Sequence, residues 1–197
     1  MNIPPTPPST WSWKDHVDFV GHWLQTRSRL EHALSVCEQL SCMHNRQAPS
    51  TLLLAGLYMG LPGKTQCTMD RIAQVTGAGV VRLLKGVCDI PHLPYADRKA
   101  EWLKRLSATT DTMALQLVWA DQAQTIEEIH EKVMLNPRAL DDMPGLEGGK
   151  FAMMDVFRRT ICLLLGKPEL FVPRVPGPNI ERVMAQLVDI GKTTGTL

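Results

Sequence analysis

The stretch PSTLLLAGLYMG (49–60) is apolar nearly all the way round a helix, and it constrains the chain more than any other segment. Rich in leucine and lacking valine and isoleucine, it reads as helix and not as a buried strand. A helix without a polar face belongs at the centre of a fold, wrapped by other elements. It stops at Gly60-Leu61-Pro62-Gly63, a strong turn signal. The flanking sequence supplies the wrapping. Trp13, Val17, Val20 and Leu24 recur at helical spacing behind Ser/Thr capping residues. A second helix, near Arg29–Cys42, carries Leu30, Leu34, Cys37 and Leu40 on one face. Thr68 caps and Gly77 ends a short helix, and AGVVRLLKGVCDI makes the next.

Further helices are expected in YADRKAEWLKRLSA, in TMALQLVWADQAQTIEEIHEKV (apolar first, charged later), in KFAMMDVFRRTICLLLG and in NIERVMAQLVDIG. PHLP, Gly145–Gly149 and VPRVPGP read as loop, flexible loop and extended linker. No run alternates as a strand would. The fold class is therefore all-α: a single-domain helical bundle of about eight to ten helices over residues 11–197. Residues 1–10, with four prolines, form a Pro-rich tail.

At 197 residues the chain can bury a substantial core as one domain. A net charge of +1 gives no global attraction to nucleic acid or membranes, and no apolar run is long enough to span a bilayer. No signal peptide opens the sequence, so the expectation is a cytoplasmic protein without membrane or direct nucleic-acid partners. The five cysteines are scattered without a Cys-x-x-Cys pair. This spacing suggests neither a disulfide framework nor a zinc ribbon; each reads as a reduced, partly buried small hydrophobe.

Gly63-Lys64-Thr65 looks like the end of a phosphate-binding loop, but its context is wrong. Such a loop needs a glycine where this chain has Tyr58, and a β-strand leading in where this chain has a leucine-rich helix. Pro62 also removes a backbone donor.

The order of the parts resembles instead the hydrolase domain of the RelA/SpoT family, over roughly residues 17–131. HWLQTR matches the family's His-x-Gly-Gln-x-Arg, keeping His22, Gln25 and Arg27 but placing Leu24 at the glycine. EHALSVCEQL keeps His32, where the family has a metal-ligating histidine. AGLYMGLPGKTQCTMDRIAQVTGAGVV follows the rhythm of Ala-x-Leu-Leu-His-Asp-x-x-Glu-Asp-Thr, the Thr-led helix and Phe-Gly-x-x-Val. ADQAQT matches Ala-Asp-x-x-x-Asn, keeping Asp121 and placing Thr125 at the asparagine. The KFAMMDVF helix lies where the family often has an aromatic near the nucleotide, here Phe151. The resemblance implies a helical HD-type fold whose members remove the 3′-pyrophosphate of guanosine tetraphosphate with manganese.

The departures fall on the chemistry. Met59 and Gly60 stand at the family's His-Asp pair, and Gly63 and Lys64 at its Glu-Asp pair. A thioether is too soft to hold manganese and glycine offers no side chain, which leaves only His32 and Asp121 as vestigial ligands. The carboxylates that would orient water are missing too. The expectation is a pseudoenzyme with no cofactor, which binds a phosphorylated nucleotide (guanosine tetraphosphate-like or cyclic) and leaves it intact. Lys64 and Arg27 would neutralise phosphate, with Gln25, His22, His32, Asp121, Thr125, Tyr58 and Phe151 around the nucleotide. A small domain of this kind would suit a sensor or a sequestering sponge, in a bacterium or a phage. Two alternatives stand beside it: a protein-interaction scaffold or inhibitor, and a pyrophosphohydrolase with a site rebuilt on His22, His32 and Asp121. Met153, Met154, Trp102 and Trp119 read as core, and EEIHEK as a solvated helix face.

Overall fold

A computed structural model describes residues 11–89, 93–141, 148–167 and 180–197. The Pro-rich tail, VPRVPGP, half of PHLP and most of the 145–149 loop lie outside these residues. The described residues form nine helices and no strand: α1 Trp13–Leu24, α2 Arg27–Met43, α3 Ser50–Tyr58, α4 Met69–Thr76, α5 Ala78–Val87, α6 Tyr95–Ala108, α7 Thr112–Leu135, α8 Gly149–Leu165 and α9 Ile180–Thr194. The chain is all-α.

The caps follow the sequence signals. At α1, the Ser12 and Asp15 side chains satisfy each other's backbone N–H in a capping box. The Thr68 hydroxyl accepts from Arg71 N at the start of α4, and the Asp111 carboxylate accepts from Met113 N and Ala114 N at the start of α7. Two side chains close the C-terminal end of α5, where carbonyls would otherwise be orphaned. Trp102 Nε1 donates to Val87 O at 2.6 Å, and Arg105 donates to Lys85 O and Cys88 O.

The apolar helix is central, as its composition demands. α3 packs against α1, α2, α5 and α7, and its Leu52, Ala55, Leu57 and Tyr58 are fully buried. Gly56 permits the closest crossing: a Cβ there would stand 2.9 Å from Leu40 Cδ1 of α2. The first half of α7 is buried on nearly every side through Leu115, Leu117, Val118, Trp119 and Ala120. α9 then covers α7 with Val183, Leu187 and Ile190. Trp102, Trp119, Met153 and Met154 are core residues, as expected.

The structure corrects three local expectations. The second helix begins at Arg27, two residues before the expected Arg29, because Thr26 takes the extended N-cap conformation. EEIHEK is no simple solvated face: Glu127 pairs with Arg182, His130 reaches Asp189 at 3.7 Å, and Glu128 turns toward α2. Of the cysteines, all free, Cys37, Cys67 and Cys88 are buried, while Cys42 and Cys162 are exposed.

Candidate functional site

α2 and α7 run side by side, and a polar ladder crosses their seam. His32, on the first half of α2, puts Nε2 3.3 Å from Asp121 Oδ1 and Nδ1 2.9 Å from Glu128 Oε1. The two carboxylates lie seven residues apart on α7, two turns along one face, so one imidazole spans them. Gln122 Nε2 donates to the other Asp121 oxygen, and Gln124 Nε2 donates to Glu128 while its own oxygen accepts from Gln39. His44 bonds Gln116 at the far end of the seam.

The direction of these bonds fixes the charge state. Ionised carboxylates only accept, so each ring nitrogen of His32 must donate, and His32 is an imidazolium. Burial opposes that charge, but the bonds to Asp121 and Glu128 outweigh it and raise the His32 pKa from 6.5 to about 9. Burial would likewise raise the Asp121 carboxyl; the His32 bond and charge, the Lys64 charge and the Gln122 amide hold it below its usual range instead. Glu128 behaves alike: burial pushes it up, and His32 and Gln124 bring it down further.

Lys64 stands beside this cluster in the turn that follows α3. Leu61 O accepts from the backbone N–H of both Lys64 and Thr65, and Gly63 takes a left-handed φ of 71°, so the loop doubles back. The Lys64 side chain is exposed, and its charge acts on Asp121 and on Cys88. Cys88 in turn approaches Met59 O, which places Met59, Lys64, Cys88 and Asp121 in one neighbourhood.

The remaining candidates disperse. His22, Gln25 and Arg27 do not share a helix: Gln25 is a left-handed corner at φ 59° that ends α1, and Arg27 opens α2. His22 and Gln25 are exposed. The Arg27 side chain is 90 % exposed and bonds Glu31 one turn on at 2.7 Å. Thr125 returns its hydroxyl to Asp121 O at 2.8 Å. Phe151 is exposed on α8 under the Lys150 ammonium. Tyr58 corrects the sequence reading outright. It is fully buried, its hydroxyl 2.9 Å from His16 Nδ1, because α1 covers that side of the central helix with His16 and Phe19. Glu128 was missed, hidden in a charged run; its one signal was its position two turns after Asp121.

No known protein family's sequence pattern matches the chain, and no curated protein matches it in sequence. Solved structures do match its shape. One, described as a metazoan orthologue of SpoT that hydrolyzes ppGpp and plays a role in starvation responses, superposes with a TM-score of 0.67 at 14 % identity and 100 % coverage of both chains. The chain has an HD-type, alarmone-hydrolase-like fold. A second match is lmo0812 from Listeria monocytogenes EGD-e, with a TM-score of 0.62 at 16 % identity, covering 82 % of this chain and 94 % of that one. At these identities the likeness speaks for the HD-type fold alone. No described helix is long and apolar enough to cross a membrane.

Manganese, which the resemblance implies, does not fit the donor set of this chain. Both His32 nitrogens are spent on carboxylates, and Met59 packs against the core. A side chain added at Gly60 would meet Leu24 Cδ2 at 3.4 Å, an apolar neighbour where a ligand would be needed. Among the described residues no group of three or more His, Cys, Asp or Glu side chains is arranged to hold a metal ion.

Proposed function

We propose that this chain is a catalytically silent alarmone-hydrolase-like domain that binds a phosphorylated nucleotide signal and leaves it intact, as a sensor or a sequestering sponge. One observation carries the reading. Lys64 offers an exposed ammonium at the loop after the central helix, beside Asp121, where the resemblance puts a catalytic carboxylate. Charge inversion at that position favours an anion, and a phosphate can take charge-assisted bonds from Lys64 without a bridging metal.

Calorimetry with the substituted chain tests this. Lys64→Ala is expected to weaken guanosine tetraphosphate binding by about 1.5–3 kcal/mol, roughly tenfold to a hundredfold. Lys64→Glu should weaken it more, because it returns a negative charge without the missing ligands. Tight binding indifferent to both changes would refute the role of Lys64. A protein-interaction scaffold on the same fold is the second reading. It is favoured by the mutual satisfaction of His32, Asp121 and Glu128, a cluster that needs no ligand to complete it.

A further inference from the structure

His16, on α1, is 5 % exposed in a box of aromatic rings. Trp11 is 5.2 Å away between ring centroids, and Tyr58 stands edge-on at 5.8 Å. Phe19 extends the box, stacked on Tyr58 at 5.8 Å and meeting Trp11 edge-on. The one hydrogen bond across the contact joins His16 Nδ1 to the Tyr58 hydroxyl at 2.9 Å. α1 is a peripheral helix, packed mainly on α2 and α3, and His16 is the polar pin that fastens it to α3.

We propose that His16 is an acid-operated latch: neutral, it holds α1 on the bundle, and protonated, it releases α1 while the rest stays folded. The surroundings favour a neutral imidazole over a charged one. With the ring neutral and its proton on Nε2, the tautomer the latch requires, the Tyr58 hydroxyl donates to Nδ1; the hydroxyl itself stays neutral because burial raises its pKa, with Cys67 adding to the effect. A protonated ring must donate from Nδ1 instead, which turns the bond round and leaves the Tyr58 proton without that acceptor. Burial also strips water from the imidazolium, a cost that cation–π attraction to the Trp11 and Tyr58 rings offsets only in part.

The facing groups give little relief. From α1 itself Asp15 favours the charge, but its carboxylate is occupied by Ser12 at 2.7 Å. α3 presents Tyr58, and the Cys67 thiol near it is pushed up to about 11 by burial and stays neutral. α2 meets α1 through Leu30, 3.2 Å from where a Gly21 Cβ would lie. Burial accordingly lowers the His16 pKa from 6.5, and Asp15 offsets only part of it. A histidine whose folded pKa is depressed loses docking stability as pH falls below its undocked value.

Hydrogen exchange read by mass spectrometry on the full chain, from about pH 7.5 to about pH 5, tests the latch with protection corrected for intrinsic rates. α1 protection is expected to fall by up to about tenfold per pH unit below about pH 6.5, with α7 unchanged. His16→Gln can still bond Tyr58 but cannot take the charge, and should flatten the response; His16→Phe, which fills the box without titrating, should do the same. Acid-insensitive α1 protection, loss of α1 and α7 protection together, or an acid response that survives either substitution would overturn the proposal.

Discussion

Tyr58→Ala is expected to lower the unfolding free energy by about 3–5 kcal/mol in urea denaturation. The side chain is fully buried at the C-terminal end of the central helix, with Phe19 stacked on its ring and His16 on its hydroxyl. Truncation loses the transfer term and leaves a cavity between α1 and α3 that a rigid helix pair cannot close. Tyr58→Phe keeps the ring and should cost only about 1 kcal/mol for the lost bond. A Tyr58→Ala chain of unchanged stability and impaired nucleotide binding would return Tyr58 to the ligand, as its place in the sequence first suggested.

His32→Ala should cost about 2–3 kcal/mol near neutral pH. Removing one member of a buried ion cluster typically costs about 3–5 kcal/mol, and these side chains are 20–34 % exposed, so solvent returns part of it. The loss leaves Asp121 and Glu128 negative on one face of α7 with the shared cation gone. The brace also has a pH signature. The folded His32 pKa, about 9, lies above the ordinary 6.5. Its stabilisation is therefore full below about pH 6.5 and disappears as pH rises through about 9. The depressed carboxylates of Asp121 and Glu128 set the opposite limit, losing their contribution as pH falls into their own range. Thermal denaturation across pH should show an alkaline decline in the parent chain and none from this source in His32→Ala. A parent curve flat through pH 9 would mean a neutral His32.

The helices were legible because each carried its own local signal. The all-round apolar composition of α3 placed it at the centre, and Thr68, Gly77 and the Ser12 region marked ends that the structure confirms. His32 and Asp121 were singled out by the family resemblance as vestigial ligands, and they meet. What stayed hidden depends on tertiary geometry or on backbone conformation. Gln25 adopts a left-handed φ that its residue type does not announce, and this corner separates His22 from Arg27. Glu128 sits in EEIHEK, where charge density suggests solvent, and the packing of α2 on α7 brings it to His32. Tyr58 was misplaced against a signal already present, since a helix apolar all round has no face from which a tyrosine can reach a ligand.

The central claim is binding without hydrolysis. Its most direct test is calorimetric titration of the full chain with guanosine tetraphosphate, with and without manganese, followed by chromatography of the recovered nucleotide. The expected result is saturable binding that needs no manganese, with the nucleotide recovered intact. Pyrophosphate released only when manganese is added, and abolished by His32→Ala, would contradict it.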